Sequence, residues 1–113
     1  IQMLVAMDHR GACGCEKNTG DGAGIMTAIP DEFFRRIARE EFKRELPEEG
    51  RYAVGQFFLP RDPDERRICK QIVEKYVELQ NQKCIGWRKV PTDSAAADIG
   101  PSAMATEPIV EQI

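Results

Sequence analysis

The residues best suited to chemistry lie near the start of the chain, where His9, Arg10, Cys13 and Cys15 fall within seven positions. A nucleophilic site needs a thiolate and a base, and a neighbouring arginine can lower the pKa of a thiol. This pairing is local, and no third group in the sequence would orient His9. A structural zinc site needs four ligands, whereas these residues supply three. The residues alone therefore favour neither a self-contained catalytic centre nor a metal site.

A glycine-rich segment follows over residues 11–24, which contain five of the nine glycines. The run from Gly20 to Gly24 suggests a phosphate-binding loop at first sight. A dinucleotide fingerprint needs G-x-G-x-x-G between a strand and a helix, and here the third glycine comes one residue early. No Gly-Lys-Ser/Thr sequence follows, so a P-loop is excluded. The segment predicts irregular structure, because glycine gains little from ordering.

Length and composition set further bounds. A chain of 113 residues accommodates one small domain. Its net charge of −3 gives no reason to expect a nucleic acid or a membrane surface as partner, and no apolar run reaches the roughly 18 residues of a membrane span. Four cysteines are too few for a disulfide scaffold, which favours a reducing compartment, and Cys69 and Cys84 are expected to be buried.

The hydrophobic pattern predicts the elements that must position these residues. Helices are predicted over residues 1–8, 31–46 and 62–79, and strands over 23–29, 52–59, 84–90 and 104–113, with loops at 11–24 and 92–103. Pro108 indicates that the last strand lies at an edge or carries a bulge. This order predicts helices packed against a mixed sheet, an α+β fold.

Local signals at the helix starts refine this prediction. Asp31 and Asp62 are candidate N-caps, and at the second site Pro63 suits the first helical position while Glu65 completes a capping-box-like arrangement. The predicted buried face of the 62–79 helix consists of Ile68, Cys69, Ile72, Val73, Tyr76 and Leu79. The charges of the 31–46 helix alternate in sign, which is typical of a solvated face; its basic members are Arg35, Arg36, Arg39, Lys43 and Arg44.

Several ordered motifs carry a resemblance to a known family. They are His-Arg-Gly-Ala-Cys-Gly-Cys-Glu at 9–16, Asn-Thr-Gly-Asp-Gly-Ala-Gly-Ile at 18–25, Ile-Pro at 29–30 before Phe-Phe at 33–34, Gly-Trp-Arg at 86–88 with Val-Pro at 90–91, and Gly-Pro-Ser-Ala at 100–103 with Glu-Pro at 107–108 and Gln112. Together they resemble the start of the amidotransferase domain of glutamate synthase large chains. The resemblance covers residues 1–113 as part of one class II glutamine amidotransferase domain.

This resemblance implies an N-terminal-nucleophile hydrolase fold, an αββα sandwich of two sheets between helices. In such enzymes an N-terminal cysteine attacks the side-chain amide of glutamine, and its own α-amino group acts as the base. The released ammonia then adds to 2-oxoglutarate in a second domain, and the imine is reduced on FMN to glutamate. The implied partners are glutamine, the other synthase domains, and either an electron-donor subunit or ferredoxin. FMN and an iron–sulfur cluster are implied elsewhere in the parent enzyme, with no cofactor in these residues, and the implied location is the cytoplasm or a plastid stroma.

The resemblance also implies roles for individual residues. Arg10 is expected beside the nucleophile, where it would help to fix the nucleophile and the substrate; a purely structural role in the turn is the alternative. The expected architectural loop consists of Gly11, Gly20, Asp21, Gly22 and Gly24.

Both ends of the chain look like excision points, since the family's nucleophile is expected before Ile1 and its oxyanion-hole Asn-Gly pair after Ile113. The isolated chain is therefore expected to be inactive, with unpaired strand edges that make it marginally stable or self-associating. Two alternatives remain: a non-catalytic remnant that binds a partner, and a small redox or metal module built on His9, Cys13 and Cys15.

Overall fold

The computed structural model describes residue 2 and residues 24–113, and the chain divides into two units. The larger unit consists of residues 29–92 and 108–113, and the other includes residues 93–107. The predicted helix over residues 1–8 and the glycine-rich segment lie outside the described residues, except for Gln2, which is helical, and Gly24. The described part combines helices with a small sheet, which is compatible with the predicted α+β class.

The first described helix, α1, spans Asp31–Ile37 and continues directly into a π-helix, π1, over Ala38–Phe42. The N-cap position is Pro30, without a side-chain cap, so the prediction of Asp31 as N-cap was wrong. The Asp31 carboxylate instead accepts hydrogen bonds from Arg35 Nε at 2.7 Å and from the Tyr52 hydroxyl at 2.8 Å. Asp31 is the first residue of the helix, and these two partners use both of its carboxylate oxygens. Neither oxygen therefore caps a backbone N–H.

The helix ends at Phe42, four residues before the predicted end at residue 46. Lys43 adopts the left-handed conformation with φ of 54°, which turns the chain away from the helix axis. Arg35 then donates to the carbonyl oxygens of Leu46 at 2.9 Å and Pro47 at 2.6 Å. Arg35 is therefore half-buried and structural, in contrast to the prediction of a solvated side chain, whereas Arg36, Arg39, Lys43 and Arg44 are exposed as predicted.

Three strands form an antiparallel sheet in the order β1-β3-β2, with β1 at Gln56–Leu59, β2 at Arg88–Lys89 and β3 at Ile109–Gln112. Over the described residues the prediction of a mixed sheet was wrong. Strands were correctly predicted in all three regions, but each is shorter than predicted. β3 is the central strand, so Pro108 does not mark an edge. It precedes the first residue of the strand, where its missing N–H removes no ladder hydrogen bond.

Two predicted segments differ from the structure. Residues 24–30 have no regular structure and are exposed, so the strand predicted at 23–29 was wrong there. An apolar run forms a strand only when a neighbouring strand pairs with its backbone, and no described segment pairs with this one. A short helix, α3, occupies Pro101–Thr106, where a loop and the start of a strand were predicted. Pro101 suits this position because its fixed φ and missing N–H are tolerated in the first turn.

The long helix α2 spans Pro63–Leu79 and begins as predicted. Asp62 Oδ1 accepts from the backbone N–H groups of Asp64 at 3.0 Å and Glu65 at 2.9 Å, and Pro63 takes the first position. The predicted buried face was only partly correct. Cys69 and Val73 are half-buried, but the other four members are exposed: Ile68, Ile72, Tyr76 and Leu79.

The orientation of α2 follows from its polar contacts. The six apolar positions cover an arc of about 140° at roughly 100° per residue. The Lys70 ammonium binds Glu111 Oε2 at 2.6 Å, and Glu74 accepts from Trp87 Nε1 at 2.8 Å. These contacts turn the helix so that one border of the apolar arc, and not its centre, meets the sheet.

The sheet presents two different faces, because side chains alternate along each strand. The register aligns Gln56, Gln112 and Arg88 in one row across the three strands, and Phe57, Glu111 and Lys89 in the next row on the opposite face. The first row faces α1 and π1, whereas Glu111 faces α2. Among the described residues the buried hydrophobic side chains are Ala38 and Leu59, so the core is small. Helices flank both faces of the sheet, with α1 and π1 on one side and α2 on the other.

Candidate functional site

The site residues predicted from the sequence lie mostly outside the described part of the chain. Arg10, Gly11, Gly20, Asp21 and Gly22 belong to this group, as do His9, Cys13 and Cys15. Their roles stay predictions. Gly24 is described and exposed, and a Cβ added to it would have open space within 4 Å. A concave site among the described residues lies elsewhere, on the α1 face of the sheet.

This site is a cavity of 570 Å³ between α1, π1, the segments 44–55 and 82–88, and the end of β3. A volume of this size is within the usual range of small-molecule pockets, about 300–1,000 Å³. Its apolar lining includes Phe34, Ile37, Ala38, Phe42, Leu46, Val54 and Ile85. The Phe42 ring forms one wall of the cavity and lies directly against Gly86. A Cβ added to Gly86 would lie 2.9 Å from two of its ring carbons. Only glycine at position 86 leaves room for this ring.

Arg88 is the notable polar residue of the cavity lining. Its side chain is only 8% exposed, and its Nε and Nη1 atoms have no hydrogen-bond partner. The nearest carboxylate oxygen is Glu41 Oε1, at 3.9 Å from Nη1, which is beyond hydrogen-bond distance. The Phe33 ring centroid lies 5.7 Å from the guanidinium carbon and offers a weak cation–π contact. The guanidinium is therefore buried with most of its hydrogen-bonding capacity unused.

Gln112 lies beside Arg88 in the cross-strand row and also lines the cavity. Its Nε2 donates to Gln56 Oε1 at 3.2 Å, while its own Oε1 is buried without a partner. The cavity thus holds unused donors on Arg88 and an unused acceptor on Gln112. Buried polar atoms of this kind are uncommon in folded proteins, and each calls for a physical explanation.

The other charged groups around the cavity are mainly positive. Arg44, Arg51 and Lys83 line it together with Arg88, against the single carboxylate of Glu45. The excess of positive charge favours an anion over a cation as an occupant.

Cys84 adds a thiol to the cavity lining. Burial raises the pKa of this thiol, and the negative charge of Glu74 raises it further. Cys84 is therefore held as a neutral thiol near neutral pH, and as such it is a poor nucleophile. The prediction that Cys69 and Cys84 are buried was correct only in part, since both are half-buried.

The opposite face of the sheet also carries charged groups, but there they are paired. Glu111 binds Lys70 at 2.6 Å and lies 3.7 Å from Arg66 Nε. Lys70 Nζ also lies 5.0 Å from the centroid of a Trp87 ring, and the Trp87 N–H reaches Glu74. This cluster is a structural link between α2 and the sheet. By contrast, the Nε and Nη1 atoms of Arg88 have no hydrogen-bond partner.

Little in the sequence indicates this cavity. Arg88 and Gln112 belong to the motifs that carry the family resemblance, yet neither was singled out as a site residue. The available signal was a charged residue directly after Trp87 in a region predicted as a strand. In the described part of the chain no three His, Cys, Asp or Glu side chains group as metal ligands would, and no helix there is long and apolar enough to span a membrane.

Comparison with known proteins supplies the context that the described residues lack. A family model for class II glutamine amidotransferases matches residues 1–113. The chain is 38% identical over 113 residues to the glutamate synthase (NADPH) large chain of Bacillus subtilis (strain 168), covering all of this chain and 7% of that protein. It is 37% identical over 113 residues to ferredoxin-dependent glutamate synthase 2 of Synechocystis, with the same coverage of both chains. It is 38% identical over 114 residues to glutamate synthase (NADH) of Saccharomyces cerevisiae, covering 97% of this chain and 5% of that protein.

Proposed function

The chain belongs to the class II glutamine amidotransferase family, and from this premise we propose that it forms part of the glutamine-hydrolysing domain of a glutamate synthase. The observation that carries the proposal is the agreement between the family match, which extends over residues 1–113, and the relatives, which are glutamate synthases. The chain spans about 7% of the length of these relatives. The activity of the whole protein is therefore part of the proposal.

In the proposed reaction an N-terminal cysteine thiolate attacks the side-chain amide carbon of glutamine, and the α-amino group of that cysteine takes up the thiol proton. An α-amino group suits this role because its reference pKa is about 7.7–8.0, close to neutrality. The amide nitrogen leaves as ammonia, and water then releases glutamate from the thioester. The ammonia adds to 2-oxoglutarate in another domain of the synthase.

Within these 113 residues, Arg10 is proposed to hold the nucleophile and the substrate in position. Arginine suits this role because its planar guanidinium forms several directed hydrogen bonds at once. Gly11, Gly20, Asp21, Gly22 and Gly24 are proposed to form the loop that brings Arg10 to the site. The combination of helices and strands in the described residues is compatible with a portion of an αββα sandwich.

The rest of the proposal concerns the parent enzyme. FMN and an iron–sulfur cluster would be held by other domains. The electron donor would be ferredoxin or a pyridine-nucleotide-linked subunit, since relatives of both kinds match the chain equally well. The proposed location is the cytoplasm, or the plastid stroma in a photosynthetic eukaryote.

The test replaces Arg10 in the longest natural form of the protein. Arg10→Ala is expected to lower glutamine-dependent glutamate formation at least about tenfold, because an arginine that holds substrate or nucleophile contributes roughly 1.5–3 kcal/mol. Glutamate formation from added ammonia should stay unchanged, since ammonia bypasses the hydrolysis step. Arg67→Ala, on the exposed side of α2, is the matched control and should leave both rates unchanged.

Equal loss of both rates in Arg10→Ala would show that Arg10 serves folding and not glutamine hydrolysis. In the same assay, a polypeptide of these 113 residues should release no glutamate above background, because its first residue is Ile1 and not a cysteine. Measurable glutaminase activity of that polypeptide would contradict the proposed nucleophile.

A further inference from the structure

The cavity on the α1 face combines features that point to a ligand of a particular chemical class. We propose that it binds a small organic anion with a carboxylate head and an apolar body, and that Arg88 binds the carboxylate. The inference is independent of the proposed glutaminase function, because it rests only on the described residues around the cavity.

The Arg88 guanidinium is a buried charge. An arginine guanidinium is a charged group with five N–H donors, and it needs several acceptors when it is buried. Leaving such a charge buried without hydrogen bonds is unfavourable. Glu41 does not remove this penalty, since it lies 3.9 Å away and its side chain is 43% exposed. A bound carboxylate would supply acceptors for the unused donors through charge-assisted hydrogen bonds.

The charges around the cavity determine the sign of the charge that a ligand would carry. Arg44, Arg51 and Lys83 surround the cavity in addition to Arg88, and Glu45 is the one acidic residue of the lining. Cys84 contributes a neutral thiol and would not repel an anion. The described lining therefore favours a negatively charged group and disfavours a cationic one.

The apolar walls of the cavity determine the kind of ligand body that would fit. Phe34, Ile37, Phe42 and Val54 form an apolar wall, and a volume of 570 Å³ accommodates a chain or ring of several carbon atoms. Such walls stabilise an apolar body by removing its surface from water. L-Glutamine carries a carboxylate but has a polar side chain, so this cavity should disfavour it.

The binding test uses titration calorimetry on the longest natural form of the protein, with octanoate as the probe. Octanol has the same apolar chain without the charge, and L-glutamine has a carboxylate without the apolar chain. Octanoate should bind with one-to-one stoichiometry and at least about tenfold more tightly than octanol, given the usual strength of hydrogen bonds to charged groups. Glutamine, added in excess, should not compete with octanoate. Equal affinities for octanoate and octanol, or no binding of octanoate, would overturn the proposal.

The Arg88→Met variant tests the role assigned to Arg88. Methionine has a similar length and removes the buried charge, so octanoate affinity should fall at least tenfold to the level of octanol. Without ligand, the melting temperature should stay the same or rise, because a buried charge whose nearest carboxylate lies beyond hydrogen-bond distance is replaced by an apolar side chain. Arg67→Met, which changes an exposed arginine of α2, should leave octanoate affinity unchanged.

Each result of this variant decides the question. Unchanged octanoate affinity in Arg88→Met would show that Arg88 does not bind the carboxylate. If Arg88→Met folds but melts at a lower temperature in the absence of ligand, Arg88 already has a partner within the complete protein, and the proposal is overturned as well. Should Arg88→Met fail to fold, the comparison of octanoate with octanol on the unmodified protein decides alone.

Discussion

Asp31 joins two segments of the chain that lie 21 residues apart. Its carboxylate accepts from Arg35 within the same helix and from the Tyr52 hydroxyl on the segment that leads into β1. The hydrogen bond from Arg35, and after it the one from Tyr52, lowers the pKa of this carboxyl group. Both bonds favour the ionised form, so Asp31 stabilises the fold only while it carries its charge.

The pH dependence of stability follows from this shift. A carboxyl group with a lowered pKa in the folded state stabilises the protein fully above its unfolded-state pKa, about 3.9, and loses this effect as the pH falls through the lower folded-state value. The unmodified protein should therefore be more stable than Asp31→Asn at pH 6. The difference between their urea midpoints should shrink steadily below about pH 4.

Glu32→Gln is the matched control for this measurement, since Glu32 is an exposed acidic residue in the same helical turn. It should reproduce any effect of charge on the helix dipole without the loss of the Arg35 and Tyr52 bonds. A constant difference between the unmodified protein and Asp31→Asn across this pH range would contradict the assigned role.

Asp31 and Asp62 also show how far local sequence can predict structure. Each precedes a helix pattern and was predicted as an N-cap. Asp62 confirms the prediction, because its partners are backbone N–H groups two and three residues further along. Asp31 does not, because its second partner is Tyr52 and no local pattern reports that contact. Arg88 was missed for the same reason, since its burial depends on α1 and β3 together.

At the scale of elements, α2 was predicted well in its extent and poorly in its orientation. Its start follows from Asp62 and Pro63, which act within one turn. Its orientation is set by Lys70, which binds Glu111 of β3, and by Glu74, which binds Trp87 just before β2. The strands were likewise predicted in the right regions from their apolar runs, but with the wrong ends. Their ends are set by hydrogen bonding to the neighbouring strand, which the sequence does not report. β1, for example, begins at Gln56 and not at the predicted residue 52, because its paired register with β3 starts there.

The cap of α2 allows a direct test. Asp62→Ala should destabilise the protein by about 1 kcal/mol, within the usual range of roughly 0.5–2 kcal/mol, because two backbone N–H groups lose their acceptor. The measurement is the shift in the urea midpoint at unchanged slope. Asp64→Ala is the control, since Asp64 lies in the same first turn and makes only an exposed contact with Arg67 at 3.2 Å. Equal effects of the two substitutions would show that the loss comes from charge at the helix start and not from the cap.

At the scale of the whole molecule, the described residues bury little apolar surface. Ala38 and Leu59 are the buried hydrophobic residues among them. The exposed side of α2 meanwhile carries a continuous apolar stripe, formed by Ile68, Ile72, Tyr76 and Leu79. A folded chain with a small core and such a stripe gains stability by covering the stripe. The predicted tendency of the isolated chain to self-associate thus has a second physical source besides unpaired strand edges.

A polypeptide of these 113 residues should therefore associate in a concentration-dependent way, with a melting temperature that rises with protein concentration. Ile72→Lys places a charge in the middle of the stripe and should shift the polypeptide towards monomer in sedimentation equilibrium. Gln71→Lys adds the same charge at the neighbouring exposed position outside the stripe, and should leave association unchanged. If both variants associate like the parent, the strand edges and not the α2 stripe hold the copies together. A sharp melt of a monomer, independent of concentration, would refute self-association altogether.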